Sequence, residues 1–429
     1  MTDLLIVGAG LTGLSAAWHL ARSGAEATVV ERDSQVGGAC RSLSQDGFTF
    51  DLTGHLLHTG RQDTPGLLAE LGVLKALRNR RRRAGIALGG RVTPYPIQIH
   101  THALPPAIRR DCLLGFITAR GDSPEAGGGS FAEWVLSRFG EGFARHFFFP
   151  YNQKLYGVSP EELTTEWVGR YVPRPSLADV VDGALGLYRQ PVGYNATFLY
   201  PRRGGIQLLA DELAATVPPV RLGCPMEALD LTSRTALLAD GTRLRWRRLL
   251  ATLPLTHLAV MTLNLPQELQ QAAGRLRAAA VINLNLGVRG PAPRREHWLY
   301  IPEVRYPFYR VGLPSNHGSL CPPGHHTLSV EVSVPAGAPA PEHLRQHCLA
   351  GLEALGLVRD RAAITTEVLA RIDPAYVVYD QARPAAVAAL RDHFRAAGVV
   401  LAGRWAEWKY STMEDALWDG AVAARKLAS

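Results

Sequence analysis

The chain is predicted to be α/β. A Rossmann-like dinucleotide-binding domain is interrupted by a mainly helical insertion and by a mixed β-sheet placed to carry substrate. Three features predict this. The N-terminal run LLIVGAGLTGLSAAWHLARSGAEATVVERD reads as strand, glycine turn, helix and strand. From about residue 220, short β-branched runs replace helical periodicity. The chain closes on GVVLAGRWAEWKY, a strand and loop, and then MEDALWDGAVAARKL, a helix.

The first unit carries the most information. Gly8-Ala9-Gly10-Leu11-Thr12-Gly13 follows a strand and opens a helix, and Glu31 ends the next strand. In that context G-x-G-x-x-G predicts a dinucleotide site. Gly8 permits the tight turn, Gly10 admits a pyrophosphate, and Gly13 lets the helix pack on the strand. The helix N-terminus offers the positive end of its dipole. Glu31 can accept hydrogen bonds from both ribose hydroxyls. Gly37-Gly38, followed by Arg41, and the C-terminal Gly403-Arg404 with Met413 at a helix start are a pattern of two-dinucleotide-binding flavoproteins. The expected cofactor is therefore FAD. Its expected contacts are Gly8, Gly10, Thr12, Gly13, Glu31, Arg32, Gly37, Gly38, Arg41, His55, Leu56, Met226, Gly403, Arg404, Thr412, Met413 and Ala416.

The remaining elements follow in order. Residues 60–120 read as mostly helical around the extended segment RRRAGIALGGRVTPYPIQIH. Ser130 with Glu133 is a capping box. Apolar residues at 131, 134, 135, 139, 143 and 147 share one helical face. Pro150 is expected to end that helix at Phe149. Ser159-Pro160-Glu161-Glu162 is expected to cap the start of another. Asp240-Gly241 marks a hairpin. Residues 342–356 and 384–397 read as helices. The expected division is 1–75, 196–262 and 383–429 for the FAD domain, 76–195 for the helical insertion and 263–382 for the mixed-sheet substrate domain.

Composition bounds the function. With 429 residues, 47% of them apolar and 20% charged, the chain suits a globular enzyme and excludes disorder. The net charge is +8, and 42 of the 46 basic residues are arginine. Guanidinium forks suit phosphates and carboxylates. Arg-rich codon usage accounts for the same bias. The five cysteines are scattered with no C-x-x-C, so reduced thiols in a cytoplasmic protein are expected, and no metal site. MTDLLIVGAG has no basic n-region and no small-residue cleavage site, so no signal peptide is expected. The longest apolar run, 249–266, is broken by Pro254 and His257, so no membrane span is expected. The RNRRRR run (78–83) reads as a solvated strand edge. No aromatic–basic interleaving suggests a nucleic-acid partner.

Several collinear segments carry a more specific signal. They are TGHLL (53–57), TPYPIQ (93–98), FFFPYNQKLYG with EWVGRYVPRP (147–175), NATFLYPRRGG (195–205), HWLYIPEVRYPFYR (297–310), PAYVVYD (374–380) and GRWAEWKY (403–410). Together they resemble UDP-galactopyranose mutases, especially the eukaryotic-type branch. They also share the wider fold of protoporphyrinogen and amine oxidases. The chain departs from that family in having Thr53-Gly54-His55 for Gly-Gly-His and Gly204-Gly205-Ile206 for Gly-Gly-Thr.

The resemblance implies an isomerase. Reduced FAD acts through N5 as a nucleophile at the anomeric carbon of a nucleotide-diphosphate sugar. The sugar interconverts between pyranose and furanose with no net redox change. NAD(P)H is a possible reductant. Arg170 and Arg310 match the arginines that grip the diphosphate, and Tyr376 and Tyr410 match phosphate-binding tyrosines. Tyr300, Asn195 and Gln98 match groups near the nucleotide, sugar or flavin. His55 matches a histidine at the flavin's reactive edge. Asn152 and Lys154 are expected to brace the site without touching sugar. The alternative is an FAD oxidoreductase of the amine or protoporphyrinogen oxidase type, which would need an apolar or aromatic cavity. A third is a non-catalytic FAD-bearing protein.

Overall fold

The computed structural model describes residues 2–122, 129–188 and 196–428. Strand Thr2–Val7 pairs in parallel with Ala27–Val30 on one side and Arg243–Ala251 on the other. Thr235–Leu238 and Met226–Asp230 extend the sheet antiparallel, and the turn at Asp240-Gly241 forms the expected hairpin. Val399–Leu401 returns to lie parallel beside Arg243–Ala251. Segments from the start, middle and end of the chain thus share one sheet. Helix Leu11–Arg22 and the final helix Met413–Ala428 cross closely above it. A Cβ on Gly420 would lie 2.5 Å from the Thr12 carbonyl oxygen, and Ser15 Oγ donates to Leu417 O at 2.6 Å.

The second sheet runs Ile364–Val377, Ala278–Arg289, His325–Pro335, Arg310–Gly312, Trp298–Tyr300, Ala84–Leu88 and Arg91–Pro94. Strand Ala278–Arg289, inside the sheet, is buried on both faces, which explains its near-continuous apolar run. Ala280, Ile282, Leu284, Leu286 and Val288 share a core with Leu344, Leu349 and Leu352 of helix Leu344–Ala354. The alternate residues Val281, Asn283 and Asn285 face the other way. Buried polar residues Ser329 and Glu331 of the next strand continue that second face, which fronts the site.

The helical insertion differs from expectation at two places. Ser130 and Glu133 do form the capping box of helix Phe131–Phe143, and its apolar face is buried. Pro150, however, does not end the helical path. The turn widens to a π-helix over Ala144–Phe148 and an α-helix resumes over Phe149–Tyr156. The wider turn places Pro150 at the start of a new segment, where its missing N–H costs nothing. The actual break comes earlier, at Gly140, with φ 74°. At Ser159 the cap residues are present but no helix follows. Glu162 is drawn to Arg277 at 2.9 Å, and Leu163 bridges to Asp380, so the chain turns and stays extended.

Candidate active site

A cavity of about 450 Å³ runs between the two sheets, from the glycine turn to the wall formed by the mixed sheet. At its first end, Gly8 has φ 105° and a Cβ there would lie 2.3 Å from Thr252 Oγ1. On Gly13 a Cβ would meet Gly8 O at 2.0 Å, so this glycine is the contact of helix on strand. On Gly10 it would meet nothing nearer than Gly38 Cα at 4.0 Å. The space above Gly10 is therefore open to a ligand. Glu31 is buried at the strand end. Its carboxylate accepts from Ala9 N at 2.7 Å and Asp33 N at 3.0 Å, so it is fixed beside the turn.

At the same end of the first sheet, where strand Val399–Leu401 also finishes, the final helix opens on the same cavity. Thr412 caps it reciprocally with Asp415, and Ser411, Thr412, Met413 and Ala416 line the space. Glu414 turns away and holds the Gly60–Thr64 loop, accepting from Gly60 N, Arg61 N and Thr64 Oγ1. Ser411 Oγ and His55 Nδ1 are buried without a partner among the described residues. These open donors and acceptors, the glycine cradle and the N-terminus of helix Leu11–Arg22, which has no side-chain cap, fit a dinucleotide with a polar ring system. FAD fits the residues present.

His55 follows a strained turn. Thr53 has φ 63°, a left-handed conformation that a β-branched residue rarely adopts. The Asn283 carboxamide satisfies its neighbours when its oxygen faces Thr53 N at 2.9 Å and Asn285 Nδ2 at 3.1 Å. Burial, with help from Arg404 and Arg310, lowers the His55 pKa to about 4, so the ring is neutral at physiological pH.

The wall of the cavity is cationic and phenolic. Arg310 is held by Glu331 through Nε to Oε1 at 2.9 Å and Nη2 to Oε2 at 2.7 Å. Tyr309 donates to the same carboxylate at 2.5 Å. Burial alone would lower the Arg310 pKa. Glu331 outweighs it, and the guanidinium stays charged, titrating well above its ordinary value. Arg404 donates to Ala375 O at 2.7 Å and Ser411 O at 3.1 Å, with no carboxylate partner among the described residues. Its Cζ lies 5.1 Å from the ring centroids of both Tyr376 and Tyr410, which are near-parallel at 6.5 Å. Tyr300 completes the wall.

The expected residues separate into groups. All the expected FAD contacts line the cavity except Gly13 and Gly403, which shape it. At Gly403, φ is 87° and a Cβ would meet Thr12 Oγ1 at 2.6 Å. Arg404, expected at the cofactor, also stands beside Tyr376 and Tyr410. Tyr300, Arg310, Tyr376 and Tyr410 come together as expected. Gln98 does not line the cavity: its Nε2 donates to Pro173 O at 3.3 Å, and its Oε1 is buried without a partner. Only the backbone of Arg170 is described, in the turn Gly169–Tyr171. Its neighbour Tyr171 packs edge-on to Tyr410 at 4.7 Å. Asn195 lies outside the described residues.

Lys154 braces the site by a route the sequence did not show. Its Nζ donates to Ile301 O, Glu303 O and Phe308 O at 2.8, 3.1 and 2.6 Å. All three carbonyls lie in the loop between Tyr300 and Arg310. Asn152 Nδ2 donates to Phe148 O at 2.8 Å, inside the π-turn. Sequence reasoning missed Glu331, although a lone Glu in the apolar run LSVEVSV was its signal.

Fold and site define a flavoprotein with a wall of arginines and tyrosines. The family model for flavin-containing amine oxidoreductases matches residues 11–428, and the chain belongs to that family. The fold also matches a crystal structure of reduced UDP-galactopyranose mutase, with a TM-score of 0.94 and 26% identity, over 100% of this chain and 94% of that one. Cyclohexylamine oxidase from Brevibacterium oxydans shares the fold at a TM-score of 0.67 and 17% identity, covering 100% of this chain and 98% of that one. Among curated proteins, dTDP-fucopyranose mutase of Escherichia coli is 26% identical over 172 residues. That match covers 38% of this chain and 44% of the relative, so the chain matches less than half of that relative's length. No helix among the described residues is long and apolar enough to cross a membrane.

Proposed function

We propose that the protein is a flavin-dependent nucleotide-sugar mutase that interconverts pyranose and furanose forms without net redox change. The observation that carries this is the wall facing the flavin cradle. It holds two guanidinium groups, Arg310 and Arg404, and three phenols, Tyr300, Tyr376 and Tyr410. A diphosphate needs that combination of charge and directed donors in a site with little water. Bound FAD, in its reduced form, supplies a nucleophilic nitrogen.

The chain's own residues do the rest. The glycine turn and the uncapped N-terminus of helix Leu11–Arg22 would hold the cofactor's phosphates, and the start of the final helix would lie beside the rest of the cofactor. Glu331 fixes the Arg310 fork, leaving Nη1 to meet a phosphate oxygen. Arg404, held by two carbonyl groups, keeps its charge available beside the tyrosine hydroxyls. That charge stabilises the diphosphate both as substituent and as leaving group, so it stays in place when the sugar ring reopens and closes. The neutral His55 adds no charge beside the reacting atoms. Arg170 is placed by the family resemblance in the same diphosphate grip, and its backbone turn adjoins Tyr410 through Tyr171.

An amine oxidase would use facing aromatic rings to hold an ammonium ion. Here the Tyr376–Tyr410 pair already has the Arg404 guanidinium beside it, which repels a second cation. The test is a screen of UDP-, GDP- and dTDP-sugars against dithionite-reduced enzyme, with product ring size read by chromatography and NMR. Conversion of one of them is expected. Oxygen uptake with an amine substrate, and no nucleotide sugar converted, would contradict the proposal. NAD(P)H enters as a candidate reductant, tested by anaerobic bleaching of the flavin.

A further inference from the structure

The Arg383 guanidinium stands outside the cavity and spends all three of its nitrogens. Nε and Nη2 donate to the Trp408 carbonyl at 2.8 and 2.6 Å, and Nη1 donates to Glu166 Oε2 at 2.8 Å. Its Cζ lies 4.1 Å from the Tyr379 ring centroid. Tyr379 in turn touches both sides of the junction. Its hydroxyl accepts from Tyr410 N at 2.7 Å, and its carbonyl accepts from Thr164 N at 2.7 Å.

The two ends of this clamp are not ordinary surface. Trp408 has φ 48°, a left-handed conformation costly for a bulky side chain, which persists only where its surroundings fix it. That strained residue stands two positions before Tyr410. Glu166 stands four positions before Arg170, in the segment whose Tyr171 packs on the Tyr410 ring. One part-buried guanidinium therefore joins the turn carrying Tyr410 to the segment carrying Arg170. A planar fork with three bonded nitrogens sets direction as well as distance, which an ammonium cannot do.

We propose that Arg383 is a positioning residue that couples the Tyr410 turn to the Arg170 segment, so that two arms of a nucleoside-diphosphate site are set as one unit. This rests on the nucleotide-sugar assignment above. Arg383 touches neither cofactor nor substrate. Its role is to hold Trp408 in its strained conformation and to keep Glu166 against it.

The test is UDP affinity of FAD-loaded enzyme by isothermal titration, with a double-mutant cycle. Arg383→Gln is expected to weaken UDP about tenfold or more, and Glu166→Gln about threefold, since its carboxylate is half exposed. FAD content and the visible spectrum stay unchanged. Tyr410→Phe should cost little in the Arg383→Gln background, whereas Tyr300→Phe, on strand Trp298–Tyr300 and outside the clamp, keeps its full cost there. A general structural defect would not distinguish the two tyrosines. If Arg383→Gln does not fold, the same cycle between Glu166→Gln and Tyr410→Phe decides. Wild-type affinity in Arg383→Gln, or fully independent effects of Tyr410→Phe and the clamp variants, would overturn the coupling alone. A flavin-loaded wild type that binds none of UDP, GDP and dTDP would overturn the nucleotide-sugar assignment and the coupling with it.

Discussion

Arg310 and Glu331 stand directly opposite each other on adjacent antiparallel strands and meet through two hydrogen bonds in the buried wall of the cavity. The pair separates two roles for Arg310, one in stability and one in binding. Arg310→Ala leaves a buried carboxylate uncompensated, which costs about 3–5 kcal/mol. It also removes a charge-assisted diphosphate contact, lowering kcat/KM by about 10²–10³. The double variant Arg310→Leu/Glu331→Leu should recover most of the stability and none of the activity. Urea unfolding and steady-state kinetics on the three proteins check this. Activity in the double variant would remove Arg310 from the substrate site.

Lys154 makes a different prediction. Lys154→Met keeps the length of the side chain but leaves three loop carbonyls without their donor, at a cost of about 2–4 kcal/mol. The loop joins Tyr300 to Arg310, so the variant should raise KM for the nucleotide sugar while retaining FAD. Flavin content by absorbance and KM by initial rates read the two effects separately.

Gly13 tests the cradle. A Cβ there would lie 2.0 Å from the Gly8 carbonyl oxygen, which belongs to the backbone and has no room to yield. Gly13→Ala should purify colourless or with FAD content reduced at least about tenfold, because the turn that meets the pyrophosphate is displaced. Absorbance at 450 nm per mole of protein measures it.

The buried histidines set a pH dependence of stability. Burial first, then nearby positive groups, lowers His55 and His297 to about 4 and His317 to about 3, from an ordinary 6.5. The unfolded chain therefore takes up protons below pH 6.5 that the folded chain refuses. Stability is full above pH 6.5 and falls as pH drops toward 4, by up to about 1.4 kcal/mol per histidine per pH unit. Denaturant midpoints from pH 7 to 4.5 should show this slope, and His317→Phe should reduce it.

What the sequence disclosed follows from how local each signal is. The glycine turn, Glu31 and the Ser130 cap are written in a few adjacent residues; the Ser130 cap forms, and the turn and Glu31 lie together at the cavity. The cationic wall was visible through motifs around Arg310, Tyr376 and Tyr410. Partners fixed by strand register were not legible: nothing near Arg310 in sequence announces Glu331, 21 residues on. Pro150 and Ser159 misled because local rules favour a helix stop and a helix start. The π-turn removed the first constraint, and Arg277 with Asp380 overrode the second. Gln98 belongs to a motif, residues 93–98, none of which lines the cavity, and its own side chain donates to Pro173.

In the proposed mutase the flavin serves catalysis without being consumed. The direct measurement is product formed per mole of reductant under anaerobic conditions, with the flavin spectrum followed throughout. Many turnovers of a nucleotide sugar by enzyme reduced once are expected, with a flavin that ends reduced and no turnover by the oxidised form. Product that tracks reductant or electron acceptor one for one, or equal activity of oxidised enzyme, would contradict it.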